Sequence, residues 1–361
     1  MELSVSAQNS MRGWYFPFHD TYAGVINKIM INPSIDFTNA CNLNCPYCYI
    51  EEKNSIRKKR KPSELTYDET IRIIDEFASL GAKTINIVGA GEPTIDFHFY
   101  EIIEYIFSHG MTTVLFTNGI KLAHDETMID FLFEHDVTIV LKMNSFEAQT
   151  QNLMAGRDGY HEQTTKALEL LIQKGFNASS PSRLSINCVA CKGNLHELPA
   201  IHQFCRENNV YPIMGDFIPT GRTESGHFVA ENAISMFKTE EQESVKKILT
   251  PLSPSETMLL WLELAKIDEL YGIVRKGCSA YYGGGICTQI LGLYVDISGI
   301  IWPCVARSER VGSFNELKSG ILGNIRNGDS IGAIWNTHPY MQKIREHFDG
   351  GCPYKAPLAA Q

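Results

Sequence analysis

The chain has 361 residues, room for one large α/β barrel domain with an appendage or for two ordinary domains. Apolar residues make up 44% and charged residues 20%, which excludes a disordered chain. The net charge of −9 argues against broad binding to nucleic acid or anionic membrane, and the most apolar stretch, from Met258 to Leu262, stops at Glu263, far short of a membrane span. The first residues, Met1 to Ser10, carry neither a basic start nor an apolar signal core. A cytoplasmic location is expected, with no nucleic-acid and no membrane partner.

Short apolar runs at residues 34–38, 84–88, 112–117, 137–143, 183–190 and 211–217 read as strands. Between them Ile71, Ile74, Phe77 and Leu80 repeat at helical spacing and end at Gly81, as Ile102, Ile103, Ile106 and Phe107 do before Gly110, and Ala167, Leu168, Leu170 and Leu171 before Gly175. Strands alternating with helices mean parallel βα units, in a wound sheet or a full or partial barrel. The basic run Arg57 to Lys61 reads as a solvated loop. After Gly221 two helical stretches follow, at residues 230–249 and 255–272, with Pro251 and Pro254 between them; beyond residue 277 come glycines, cysteines and short strands around a turn at Asp296 to Gly299.

Ten cysteines exceed what packing requires, and in a reducing compartment they read as metal ligands or reactive thiols before disulfides. Cys41, Cys45 and Cys48 follow the first strand in a C-x3-C-x2-C spacing. Three thiolates in one short loop suit three irons of a cubane cluster, leaving the fourth iron open to a small molecule. A structural zinc site wants four closed ligands and has no nearby histidine here. At other strand ends stand Gly89-Ala90-Gly91-Glu92, Asn118, the Lys142-Met143-Asn144-Ser145 run, and Cys188 and Cys191, at the side where barrel enzymes place their chemistry. Glu92 reads either as a cap on a turn or as a partner for a cationic amine. Cys205, in helical register with Ile201 and Phe204, reads as a core residue.

In the cysteine triplet, with Tyr47 before its last member, the sequence resembles the radical S-adenosylmethionine enzymes. The resemblance implies a partial (β/α)6 barrel with a [4Fe–4S] cluster on Cys41, Cys45 and Cys48, the open iron being chelated by S-adenosylmethionine. It implies cofactor-binding roles for Tyr47, Gly89, Gly91, Glu92, Asn144, Ser145 and Arg157, with Ala90 a small departure from the family's Gly-Gly-Glu pattern. Cys188 or Cys191 would then be a candidate hydrogen-atom donor, against the reading of both as packing.

Cys287, eleven residues, Gly299, four residues and Cys304, with Cys278 before and Cys352 after, resemble the cysteine-rich SPASM or Twitch extension of the same enzymes. The extension implies a second, auxiliary [4Fe–4S] cluster on Cys278, Cys287, Cys304 and Cys352; zinc is the alternative. The expected organisation is an N-terminal segment at 1–32, the barrel at 33–225, a helical connection at 226–275 and the auxiliary domain at 276–361. The expected activity is cleavage of S-adenosylmethionine to a 5′-deoxyadenosyl radical and hydrogen abstraction from a small-molecule or short-peptide substrate, for oxidation (dehydrogenation) or a related C–H modification. A flavodoxin- or ferredoxin-type protein would donate the electron. The alternatives are a peptide maturase, epimerising or cross-linking, and a non-enzymatic metal-binding electron carrier.

Overall fold

The structure is a computed structural model describing residues 10–50, 56, 59–217, 222, 234, 237–273, 288–305 and 320–346. The six expected strands are present as β1 (Ser34–Ile35), β2 (Thr84–Ile87), β3 (Thr112–Thr117), β4 (Thr138–Lys142), β5 (Leu184–Ala190) and β6 (Tyr211–Asp216). α1 (Phe18–Ile26) precedes them, and α2 (Tyr67–Ser79), α3 (Phe99–Ser108), α4 (Glu126–Glu134), α5 (Ala148–Ala155), α6 (Tyr160–Lys174) and α7 (Leu198–Glu207) run between them. Then come α8 (Thr239–Ile248), α9 (Pro254–Leu270), β7 (Tyr294–Val295), β8 (Ile300–Trp302), β9 (Gly323–Asn324), α10 (Ile331–Thr337) and α11 (Pro339–Glu346). This is the expected α/β series of a partial (β/α) barrel. The helix expected from residue 230 is described from Thr239, the stretch at 223–233 lying outside the described residues. Among the described residues no helix is long and apolar enough to cross a membrane.

The chain divides into two compact units, Met1–Arg12, Ala40–Arg57 and Phe116–Arg275 in the first and Gly13–Asn39, Lys58–Leu115 and Lys276–Gln361 in the second. In the second unit β1 pairs in parallel with β2 on one side and β7 on the other, β2 pairs in parallel with β3, and β7, β8 and β9 continue as antiparallel neighbours. Ile35, Ile85, Ile87 and Val114 are fully buried, as expected of parallel strands covered on both faces. α2 starts with a reciprocal cap, in which Thr66 Oγ1 accepts from Glu69 N and Glu69 Oε2 accepts from Thr66 N. Its other end binds the C-terminal segment, where Glu76 Oε2 accepts from Ser330 Oγ and Gly332 N at the head of α10. Trp335 of α10 is fully buried and donates its indole N–H to the Lys28 carbonyl.

The solvated reading of the basic run fails at Arg60. Its guanidinium forks onto the buried Asp96 carboxylate at 2.9 and 2.6 Å, donates to the Leu65 carbonyl and stacks over Phe37. A bidentate arginine with a desolvated partner is held by geometry as well as charge.

In the first unit β4, β5 and β6 pair in parallel, and the core cysteine Cys205 is buried on α7 as expected. α7 and α9 are joined by a fully buried polar triad, in which Asp268 Oδ1 accepts from Arg206 Nε at 2.8 Å and meets His202 Nε2 at 2.6 Å.

Candidate active site

The loop that follows β1 carries three thiols in eight residues, and none of the described cysteines forms a disulfide. Leu43 is buried with Ile120, Ala155 and Tyr160, and Cys41 and Cys45 pack partly against that cluster. Within the loop Leu43 N donates to Cys41 Sγ at 3.5 Å and Cys48 N to the Cys45 carbonyl at 3.1 Å.

Groups that follow β3, β4 and β6, and the end of α5, hold this loop. After β3, Asn118 Nδ2 donates to Asn42 Oδ1 at 2.7 Å, while its own Oδ1 accepts from Ile120 N and shapes the turn. After β4, Asn144 Nδ2 donates to the Tyr47 hydroxyl at 2.7 Å. The end of α5 comes so close that a Cβ on Gly156, which has φ +62°, would stand 2.2 Å from the Asn44 carbonyl oxygen. Beside it Arg157 Nη1 donates to the Asn42 carbonyl at 2.9 Å. After β6, Arg222 donates from Nη1 to the Cys45 carbonyl at 2.8 Å and from its backbone to the Cys48 carbonyl at 3.1 Å. Neither Gly156 nor Arg222 stands out in the sequence, because each is identified only by a partner more than a hundred residues away.

Asn144 joins several elements. Its Oδ1 accepts from Val189 N of β5, its carbonyl accepts from Asn194 Nδ2, and its backbone N–H shares the Gln151 Oε1 acceptor with that of Ser145. The Ser145 hydroxyl donates to Glu197 Oε1 at 2.6 Å. Asn144 Nδ2 thus carries a second N–H beyond the one bonded to Tyr47, whereas Ser145 donates its hydroxyl in a hydrogen bond to Glu197.

Lys142, at the end of β4, donates to Asn187 Oδ1 at 3.0 Å and lies 5.4 Å above the Tyr47 ring. Burial holds its ammonium below the usual lysine range. Burial, reinforced by Cys48, pushes the Cys45 thiol up to about 12, with Lys142 and then Arg222 pulling against it. Cys188 and Cys191 are fully buried, and burial pushes each up to about 12 against the pull of Lys142. Cys188 donates its S–H to the Met143 carbonyl, and Cys191 sits among Met154, Phe217, Val245 and Leu249.

The remaining expected residues belong to the second unit. Gly89, at φ +85°, donates its N–H to Asp36 Oδ1 at 2.6 Å, and a Cβ there would meet the Gly91 carbonyl at 2.7 Å. Gly91 N donates to the Thr38 carbonyl. Glu92 is 2% exposed and caps the short turn Pro93–Ile95, Oε1 accepting from Thr94 N at 3.2 Å and Thr94 Oγ1 at 2.6 Å. The capping reading of Glu92 therefore holds whatever else it binds. Cys304 follows β8, with Gln289 Nε2 donating to its sulfur at 3.5 Å. Cys278, Cys287 and Cys352 lie outside the described residues.

One cluster had no sequence signal: Glu147, His196 and Glu197 bring potential ligand atoms within 4.8 Å of one another. Its contacts account for it without an ion. Glu147 pairs with His196 at 3.0 Å, and Glu197 accepts from Ser145 Oγ and from the Phe146 and Glu147 amides.

The three-cysteine loop fits an iron–sulfur cluster by the chemistry of its donors, three thiols that no other residue of the loop crosslinks. Two buried polar atoms, Asn44 Oδ1 within the loop and Gln151 Nε2 on α5, whose Oε1 binds the Asn144 and Ser145 amides, have no hydrogen-bond partner.

The sequence profile of the Radical SAM superfamily matches residues 35–204, from β1 into α7. Mycofactocin maturase MftC of Mycobacterium ulcerans is 30% identical over 336 residues, covering 88% of this chain and 81% of its own. The AdoMet-dependent heme synthase of Methanosarcina barkeri is 27% identical over 341 residues, covering 90% and 88%. In fold the chain is similar to Streptococcus suis SuiB bound to S-adenosylmethionine, with a TM-score of 0.61 at 14% identity over 95% of this chain and 78% of that one. With the profile running from β1 through β5 and a relative 30% identical along most of both chains, this protein belongs to the radical SAM superfamily of enzymes.

Proposed function

We propose that the chain cleaves S-adenosylmethionine reductively and uses the resulting radical to oxidise a substrate at carbon, with Cys41, Cys45 and Cys48 holding the catalytic [4Fe–4S] cluster. The observation that carries this reading is the convergence of Asn118, Asn144, Arg157 and Arg222 on the three-cysteine loop. When bound there, such a cluster supplies the electron that splits the sulfonium and so the 5′-deoxyadenosyl radical that takes a hydrogen atom from substrate.

The chain's own residues do the rest. Tyr47, fixed by Asn144 and covered by the Lys142 ammonium, forms an aromatic wall between two of the cysteines. The remaining Asn144 N–H, the Ser145 segment and Arg157 offer polar contacts to the cofactor's ribose and carboxylate. Gly89 and Gly91 let backbone approach the methionine end, and Glu92, already buried, receives its ammonium. Burial keeps Cys188 and Cys191 as thiols, the form a hydrogen-atom donor needs.

Cys278, Cys287, Cys304 and Cys352 would hold an auxiliary [4Fe–4S] cluster that accepts the second electron from the substrate radical. The amide of Gln289 on Cys304 suits a sulfur ligand, as N–H donors stabilise cluster thiolates. A flavodoxin- or ferredoxin-type donor and a cytoplasmic setting follow from the need for low-potential electrons. The similarity to a maturase at 30% identity favours a short peptide as substrate; the similarity to a heme synthase keeps a small molecule as the second reading.

The test is 5′-deoxyadenosine release by anaerobically reconstituted protein given S-adenosylmethionine and a low-potential reductant. Wild type should release it and Cys45→Ala should not. A Cys45→Ala protein that releases it at the wild-type rate contradicts the reading.

A further inference from the structure

Arg222 reaches the cysteine loop from 177 residues downstream of Cys45. It is 5% exposed. One residue grips two carbonyls three positions apart, through Nη1 to Cys45 at 2.8 Å and through its backbone N–H to Cys48 at 3.1 Å. Those carbonyls bracket the turn that presents two of the three thiols, and that turn has its own closing bond from Cys48 N to the Cys45 carbonyl. A guanidinium does not lose its proton in a protein, so burial here fixes a permanent positive charge beside the loop. Of the loop's other partners, Asn118, Asn144 and Gly156 are neutral, and Arg157, on the Asn42 carbonyl, is a second cation.

We propose that Arg222 is a positioning residue for the catalytic cluster, fastening the Cys45–Cys48 turn and placing beside it a fixed charge that raises the cluster's reduction potential. This rests on the cluster assignment above. A cubane held by three thiolates gains one negative charge when the donor's electron converts it from the 2+ to the 1+ state. A cation held close in a partly desolvated site favours that added charge. The turn's geometry matters separately, because thiolates released from their ligand arrangement lose metal.

Two variants separate the two contributions. Arg222→Gln keeps a donor for the Cys45 carbonyl and removes the charge; Arg222→Lys keeps the charge and removes the planar fork. Each is reconstituted anaerobically, checked by circular dichroism, titrated by EPR for the cluster midpoint, and timed for iron loss to a chelator. Arg222→Gln should have a midpoint more negative than wild type. Arg222→Lys should keep the wild-type midpoint while losing iron several-fold faster. An Arg222→Gln midpoint equal to that of wild type overturns the charge role, and a wild-type rate of iron loss in Arg222→Lys overturns the fastening role. Should Arg222→Gln fold but hold no iron, its amide does not replace the guanidinium at the Cys45 carbonyl, which upholds the need for Arg222 at the turn without separating charge from fastening. Arg222→Lys then decides the charge, a shifted midpoint there counting against it. Wild-type protein that takes up no iron removes the cluster assignment and this proposal together. Loaded wild type with unmoved variants removes this proposal alone.

Discussion

Asn144 and Tyr47 are joined by a hydrogen bond of 2.7 Å that ties the end of β4 to the aromatic residue between Cys45 and Cys48. The same amide supports β5 through Val189 N, so Asn144 is the junction at which the loop, β4 and β5 share one side chain. Tyr47→Phe removes one partner of a part-buried bond and should cost about 1 kcal/mol, whereas Asn144→Ala also strands the Val189 amide and should cost about 2–3 kcal/mol. Denaturant unfolding of both variants and of the double variant should show a coupling of at least ~0.5 kcal/mol. Strict additivity would mean the bond does not act as a bond.

The buried Asp268 carboxylate is shared by His202 and Arg206. Removing it leaves a guanidinium without its counter-charge in the core, so Asp268→Ala should destabilise the fold by about 3–5 kcal/mol. A change near zero in the urea midpoint would show that the pair is not desolvated in solution.

His196 and Glu147 predict a small pH effect with a defined sign. The hydrogen bond to Glu147 raises His196 above its ordinary 6.5, and that to His196 lowers Glu147 below its ordinary 4.5. The histidine's share of stability is fully present below 6.5 and fades as pH rises through the raised value; the carboxylate's share is present above 4.5 and fades as pH falls through the lowered one. The pair therefore contributes most in mild acid. His196→Gln should lower Tm more at about pH 5.5 than at about pH 8.5, and only slightly because both groups are exposed. An equal shift at both values would remove the ionic account.

The cysteines separate two chemistries. If the enzyme epimerises its substrate, Cys188→Ala or Cys191→Ala should divert turnover to abortive products while 5′-deoxyadenosine still forms. If it dehydrogenates, Cys287→Ala or Cys304→Ala should stall product instead. Mass spectrometry of the products distinguishes them, and full product from all four variants would discard both assignments.

Much of the frame was legible because its signals are local. The run at 112–117 became β3 with the same ends, and the Asp296 to Gly299 turn became the hairpin between β7 and β8, closed by Gly299 at φ +83°. The cysteine triplet was legible for the same reason, its spacing lying within one loop. What holds the loop was not. Gly156 matters because of the Asn44 carbonyl, Arg222 because of the Cys45 carbonyl, and Arg60 left its expected solvent because of Asp96, 36 residues on. Lys142 read as part of a strand end, and only the fold sets it over Tyr47 and onto Asn187. Periodicity says which face is apolar; it does not say which distant backbone group a polar side chain will meet.

The most direct test of the central claim is iron and sulfide content, with EPR, on anaerobically reconstituted wild type and on the triple Cys41/Cys45/Cys48→Ala variant. The account predicts about eight irons in wild type falling to about four in the variant, with loss of the S-adenosylmethionine-responsive signal. An iron content unchanged by removing all three thiols would contradict it.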